Sequence, residues 1–336
     1  MIEQRRFFQN VQARLKSWEF ILFIFLVIVL IWNGVMAKNY FTILNQINLF
    51  NLSIEKILVA ITMAFLIING EIDLSAPSIM GLSAVVMAVF FRAGLPLWAC
   101  ILIAIVVGAA CGLFNGVWVA IVGINSLIAT LAMLIGFRGL ARAIIEDNYI
   151  GNFPQWFNDL GQKPILGPFP FAMILFFVFF IIAVIILHFS GFGRRVYVIG
   201  ATKDVARFSG LKIRQIKFIL YAASGVMSAI AGVLLSARLS SVRGDLAFGF
   251  ELDIITVVLL GGASVFGGVG SLLGVFISIL LILNIRNGLA LMALSEHIQK
   301  AVIAFLLIIS VLGPSIIGRI AEWNKRRRFK IGSMQK

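Results

Sequence analysis

Histidine and cysteine occur only twice each in this 336-residue sequence, and acidic side chains number only 14. His188 and His297 lie in different segments without metal-ligand spacing, so each reads as structural or interfacial. Cys100 and Cys111 both fall in apolar runs, with neither disulfide nor metal spacing. No nucleophile elbow, zinc motif or paired-acid pattern stands out. The Gly-x-x-x-x-Gly-Lys-Ser/Thr loop that cradles nucleotide phosphates is also missing. These absences argue against an enzyme. The chain reads as non-catalytic, with no metal and no cofactor, and any ATP chemistry must come from a partner.

Hydrophobic residues make up 61% and charged residues only 12%, against roughly one half and one quarter in soluble domains. Apolar runs recur that approach or exceed the roughly 20 residues a helix needs to cross a hydrocarbon core. The alternating pattern of a membrane barrel is absent, so the spans must be helices. Net charge is +14, and its distribution is uneven. Arg5, Arg6, Arg14 and Lys16 precede the first apolar run. Seven basic residues (Arg194, Arg195, Lys203, Arg207, Lys212, Arg214, Lys217) fill one central loop, and seven more lie at the C-terminal end from Arg319 to Lys336. The polar loop 146–163 is instead net acidic. This asymmetry is the positive-inside signature, and it suits anionic lipid headgroups rather than nucleic acid.

The predicted fold class is an all-α polytopic membrane protein of about ten transmembrane helices with both termini cytoplasmic. The spans fall near 20–36, 49–68, 74–91, 97–122, 127–145, 169–188, 218–239, 254–266, 272–285 and 298–312. The first is read as a retained span rather than a cleaved signal, because no small-residue cleavage site follows it. The organisation is a cytoplasmic segment 1–19, one permease-like membrane domain 20–318 containing an internal cytoplasmic loop 190–217, and a basic tail 319–336. Glu71-Ile72-Asp73-Leu74 is echoed by Glu251-Leu252-Asp253-Ile254, and Asn115-Gly116 by Asn287-Gly288. The spans before the two acidic pairs cross in opposite directions, as in inverted repeats.

Three motifs carry chemistry. The break 69–75 places Glu71 and Asp73 beside membrane spans, where carboxylates are costly and face protein or water. They either line the pathway or cap the next helix. Gly261-Gly262-Ala263-Ser264 and Gly267-Gly268-Val269-Gly270 do not fit a dinucleotide loop, and read as close packing or as broken backbone along a pathway. In the basic loop, 204–208 can form a short amphipathic helix ended by Gly210. It suits either lipid contact or docking of a cytoplasmic partner.

The series Gly70-Glu71-Ile72-Asp73-Leu74-Ser75, Gly112-Leu113-Phe114-Asn115-Gly116, Phe192-Gly193-Arg194-Arg195-Val196-Tyr197, Ala206-Arg207-Phe208-Ser209-Gly210 and Glu251-Leu252-Asp253 with Leu260-Gly261-Gly262 resembles the ribose/xylose/rhamnose/autoinducer-2 permease family of ABC importers. Rhamnose-type permeases look most similar. The motifs come in family order over nearly the whole chain. The resemblance implies a bacterial inner-membrane permease that moves a monosaccharide or sugar-like molecule by alternating access. It implies three partners: a cytoplasmic ATP-binding subunit, a periplasmic or extracellular sugar-binding protein, and a second permease copy or paralogue. It places Asp204, Val205, Ala206 and Gly210 against the ATPase, and leaves Asp73, Asn115 and Glu251 as pathway candidates. Asn125-Ser126 and Ala76-Pro77 depart from the family's usual residues, which bears on the substrate rather than the class. An ion-coupled secondary sugar transporter is the alternative, and a non-transporting scaffold or receptor a further rival.

Overall fold

The computed structural model describes residues 18–37, 40–146, 148–295 and 297–308. The expected N-terminal segment falls almost wholly outside the described residues, and the basic tail 319–336 lies outside them altogether. Helices dominate. Six are long and apolar enough to cross a membrane: α1 (Trp18–Met36), α5 with its wider final turns (Leu97–Val122), α6 (Ser126–Ile145), α8 with its final turns (Phe171–Phe189), α11 (Ile213–Leu239) and α13 (Leu272–Leu291). A bent pair, α2 (Ile43–Asn51) and α3 (Ile54–Ile68), supplies a seventh when taken as one span. The chain is therefore a multi-pass, all-α membrane protein with short two-residue and three-residue strands in its loops.

The other three expected spans fall on shorter helices, α4 (Ala76–Arg92), α12 (Phe250–Leu260) and α14 (His297–Ile308), with positions 309–312 of the last expected span outside the described residues. Expected span 49–68 is broken, with a 58° bend between α2 and α3. Leu52 and Ser53 interrupt the ladder there, and Ser53 makes no side-chain cap. The loop 190–217 holds two helices rather than one, α9 (Gly191–Ala201) and α10 (Lys203–Phe208). The additional helix α9 starts on Ser190, whose hydroxyl accepts from the Phe192 and Gly193 amides, an ordinary N-cap.

The centre of the molecule is α3 crossed by α11. Residues on every side of α3 are buried, from Ile54 and Glu55 to Ile68. A helix apolar all round belongs in a core. In α11 the buried positions are rich in Ser, Gly and Ala, the composition that lets membrane helices approach closely without a hydrophobic driving force. The outer helices turn large side chains outward, among them Ile28, Trp32, Val106, Ile135 and Ile181. In water such a surface would demand a partner; beside lipid tails it is the expected face.

Ion pairs fix the relative direction of α3 and α11. Arg238 near the end of α11 meets Glu55 at the start of α3 at 2.7 Å. Lys217 in the first turns of α11 meets Glu71, just past the end of α3, at 2.5 Å. The two helices therefore run antiparallel, as the opposed spans of the Glu-x-Asp echo require. On the loop side, where the short helix α7 (Gln155–Gln162) also lies, β1 (Tyr149–Ile150) pairs antiparallel with the strand Val242–Arg243 and ties the acidic loop to the segment after α11.

Candidate functional site

The break after α3 is built by Gly70. Its φ of +79° sits in the left-handed region, and its amide bonds back to Ile67 O at 2.9 Å while Glu71 N reaches Leu66 O at 2.9 Å. This is a glycine C-cap, cheap for a residue without Cβ. The chain then runs without helix to Ser75, so both carboxylates of the motif leave the helical ladder and enter the protein interior.

Asp73 is fully buried. Ser75 donates to its Oδ1 through the hydroxyl at 2.6 Å and the amide at 3.0 Å. Ser224 of α11 donates to Oδ2 at 2.9 Å. Asn115 of α5 donates to Ser75 Oγ at 2.7 Å and to Asp73 Oδ1 at 3.4 Å. Two sequence-derived candidates, Asp73 and Asn115, thus meet in one polar knot joining the break to α5 and α11. Both are sealed inside the protomer. Asp73 bonds its own chain two residues on, in the manner of a turn residue, and ties in two neighbouring helices besides. Removing the Ser224 hydroxyl withdraws one donor from a buried carboxyl group. Ser224→Ala is expected to cost about 1–3 kcal/mol, read as a lower unfolding midpoint of the purified protein; an unchanged midpoint would show the knot to be energetically idle.

Glu71 is also buried, at 4% exposure, but its partners are cations. Lys217 lies at 2.5 Å and Lys203, on α10, at 3.5 Å. One carboxylate therefore connects the break to the middle and to the C-terminal end of the basic loop. A second link is made of backbone. Gly268 N donates to Ile68 O at 2.8 Å. Gly200, near the end of α9, packs so closely on Ile68 and Gly268 that any Cβ there would strike their main chains. The glycines at 267 and 268 were open to two readings in the sequence, packing or pathway; here they form a three-way backbone contact between the break, α9 and the loop before α13. Tyr197 of α9 adds a hydroxyl bond to Gly270 O at 2.7 Å, and burial pushes its phenol above the usual range.

The third candidate, Glu251, lies on α12, away from the knot. It pairs with Arg138 of α6 at 3.4 Å, and the Arg138 guanidinium also sits over the Phe248 ring at 4.8 Å. Its neighbour Asp253 holds Lys56 at 2.9 Å and Arg286 at 2.6 Å. Each acidic pair thus anchors on a cation at the start of the opposite central helix: Glu71 on Lys217 of α11, and Asp253 on Lys56 of α3. On the acidic loop, Lys163 and Gln155 bond the Asp159 carboxyl and hold it below the usual carboxylate range.

Within the basic loop, α10 presents Val205 (54% exposed) and Phe208 (90% exposed) outward, with Asp204 also exposed, while Ala206 is buried. Gly210 ends the helix with φ +71°. Sequence reasoning chose Asp204, Val205, Ala206 and Gly210 and passed over Phe208. The signal was present: an aromatic beside a basic residue in a short polar-flanked helix has no core to enter.

Comparison with known proteins gives the wider setting. Residues 43–311 match the family described as "Branched-chain amino acid transport system / permease component". An "Autoinducer 2 import system permease protein LsrD" of Yersinia pseudotuberculosis serotype IB (strain PB1/+) is 36% identical over 286 residues, covering 82% of this chain and 86% of the relative. Proteins of the same name from Y. pseudotuberculosis serotype O:3 (strain YPIII) and Yersinia pestis (strain Pestoides F) are each 36% identical over 285 residues, 82% of this chain and 85% of theirs. No solved structure matches the chain. A match spanning most of the sequence, together with motifs in family order, makes this chain a member of that permease family of bacterial import systems.

Proposed function

We propose that the chain is one permease subunit of a bacterial inner-membrane ABC importer for autoinducer 2 or a related sugar-like molecule. In this reading it has about ten spans, both termini in the cytoplasm, and an inverted repeat centred on α3 and α11. The likeness to autoinducer 2 permeases along 82% of the chain carries the substrate class. A separate cytoplasmic ATP-binding subunit supplies the energy and seats on α10. A sugar-binding protein delivers ligand on the opposite side. A polar cavity of about 260 Å³ lined by Arg142, Glu146, Asn148, Arg243 and Asp245 supports that side as the receiving face. A second permease copy or paralogue completes the pathway, with Asp73, Asn115 and Glu251 holding the helices that border it.

Coupling between ATP and pathway requires an element with two arrangements that both sites bias. The α10 helix has the connections for that role. Its Lys203 reaches Glu71, and the adjoining α9 packs Gly200 onto the break and Gly268. Movement of α10 under a closing ATPase would pull on the break through Glu71 and press on it through Gly200. Sugar then crosses unmodified.

Uptake in cells with and without the gene tests the substrate. Labelled autoinducer 2 should enter only when the gene is present, with rhamnose and ribose as the neighbouring sugar candidates. The family's own description motivates a labelled-leucine arm. Leucine uptake in place of sugar uptake would reject the sugar-like reading, and uptake driven by an ion gradient without nucleotide would reject the ABC mechanism. In reconstituted importer, Val205→Ala with Phe208→Ala is expected to cut ATP-driven uptake about 30-fold, the consequence of losing roughly 2 kcal/mol of docking anchor. Both side chains are exposed, so the fold should persist. Normal coupled transport by this variant would remove α10 from the mechanism.

A further inference from the structure

Two cavities meet beside the basic loop. The first, of about 360 Å³, lies between α9 and the start of α11, and its lining includes Phe192, Arg195, Gly210, Lys212 and Ile219. Two of these are cations, and no acidic residue lines it among the described residues. The second, of about 200 Å³, is a groove with almost wholly apolar walls, supplied by α3, α8 and α11 through residues such as Phe65, Phe179, Ile182, Ile186 and Met227. Phe192 and Ile219 line both. The two therefore adjoin: a basic chamber at the loop beside an apolar slot along the spans.

We propose that this pair of cavities holds one anionic phospholipid of the cytoplasmic leaflet, with its phosphate between Arg195 and Lys212 and an acyl chain in the groove. The proposal rests on the reading of loop 190–217 as cytoplasmic. Three observations select this occupant. The charge of the chamber is complementary to a phosphodiester, and guanidinium is well suited to phosphate oxygens. The groove leads from the chamber onto an outward-facing apolar surface that includes Ile182, Ile186 and Ile219, as an acyl chain requires. Head and tail compartments adjoin, at Phe192 and Ile219, in the order that a lipid presents them. Gly210 lines the chamber and ends α10, so a bound headgroup would brace the base of the coupling helix. Lipid occupancy would then regulate how firmly α10 transmits movement.

The test uses the assembled importer, purified in mild detergent and titrated with phosphatidylglycerol or phosphatidylcholine, with bound lipid counted by native mass spectrometry. Phosphatidylglycerol should bind in preference, and Arg195→Gln with Lys212→Gln should weaken it about 30-fold, since each cation near a headgroup contributes about one kcal/mol. Ile219→Trp, which narrows the groove and leaves the charges, should also weaken it. Equal retention of phosphatidylglycerol by the double variant, equal binding of phosphatidylcholine, or binding of glycerol phosphate as tight as that of the lipid would each overturn the proposal. So would disulfide formation between two Ile219→Cys copies in the assembled importer, because a second copy would then occupy the groove. Lipid counting does not depend on transport, so an importer that binds lipid but moves no sugar would fail the functional reading alone. Lys212→Cys labelled only from outside the cell would overturn the topology, and with it the assignment of the lipid to the cytoplasmic leaflet.

Discussion

Arg238→Ala is expected to lower the stability of this permease by about 3–5 kcal/mol, the cost of stranding a buried charge. Glu55 is only 1% exposed, and Arg238 holds it with two nitrogens, Nε to Oε1 at 2.7 Å and Nη2 to Oε2 at 3.3 Å. Its neighbour in sequence, Lys56, cannot take over, because it is engaged with Asp253 at 2.9 Å. The pair also sits where α3 begins and α11 ends, so its loss frees one end of the central antiparallel crossing. Adding Glu55→Gln removes the stranded charge and should recover most of the loss; Arg238→Lys should recover only part, since the two-nitrogen fork is gone. Unfolding midpoints of the purified variants decide this. Wild-type stability in Arg238→Ala would mean that Glu55 needs no counter-charge. The companion pair behaves differently on the same reasoning. Lys217→Ala leaves Glu71 with Lys203 at 3.5 Å, an exposed substitute, so the stability loss should be clearly smaller.

The membrane class and the positions of the six long apolar helices were legible because hydrocarbon imposes a length and a polarity that a one-dimensional sequence displays directly. The same holds for α10, whose polar flanks and terminal glycine are local signals. The bend between α2 and α3 was not legible: Leu52-Ser53 carries no proline or glycine, and the polar Asn51, Ser53, Glu55 and Lys56 do not by themselves mark where one helix stops. Nor was the partnering of the carboxylates. Glu71 and Asp73 are two residues apart and look equivalent, yet one pairs with cations and the other with neutral donors. That division is completed by Lys217 and Ser224, more than 140 positions away on α11, and only the three-dimensional crossing reveals it. For the same reason the sequence could not separate a capping role from a pathway role. Asp73 does bond its own chain two residues on, and it also ties in α5 and α11.

The sequence also displays a glycine stripe, of which the family motif holds only Gly112 and Gly116. Gly108, Gly112 and Gly116 recur at every fourth position of α5, a spacing that lines one helix face for close contact. In the fold that face meets α11 at Gly225. A Cβ on Gly225 would strike the Gly108 carbonyl and stand 3.0 Å from the Gly112 Cα, while one on Gly112 would strike the Tyr221 carbonyl. Two effects then oppose each other in Gly225→Ala. Helix propensity favours alanine by about 0.5–1 kcal/mol. Overpacking costs about 1–3 kcal/mol, and here the obstacle is backbone, which cannot rotate aside. The steric term should win, giving net destabilisation, and Gly225→Val should be worse because it adds bulk at the same contact. Gly136 on α6 is the control, with nothing within 4 Å of its Cβ position; there propensity acts alone, and Gly136→Ala should raise stability by up to about 1 kcal/mol. Opposite signs for the same chemical change, measured as shifts in unfolding midpoint, are the expected result. If both substitutions stabilised the protein, α5 and α11 would have to lie farther apart than their glycines indicate, and the polar knot of Asp73, Ser75, Asn115 and Ser224 that bridges them would open with them.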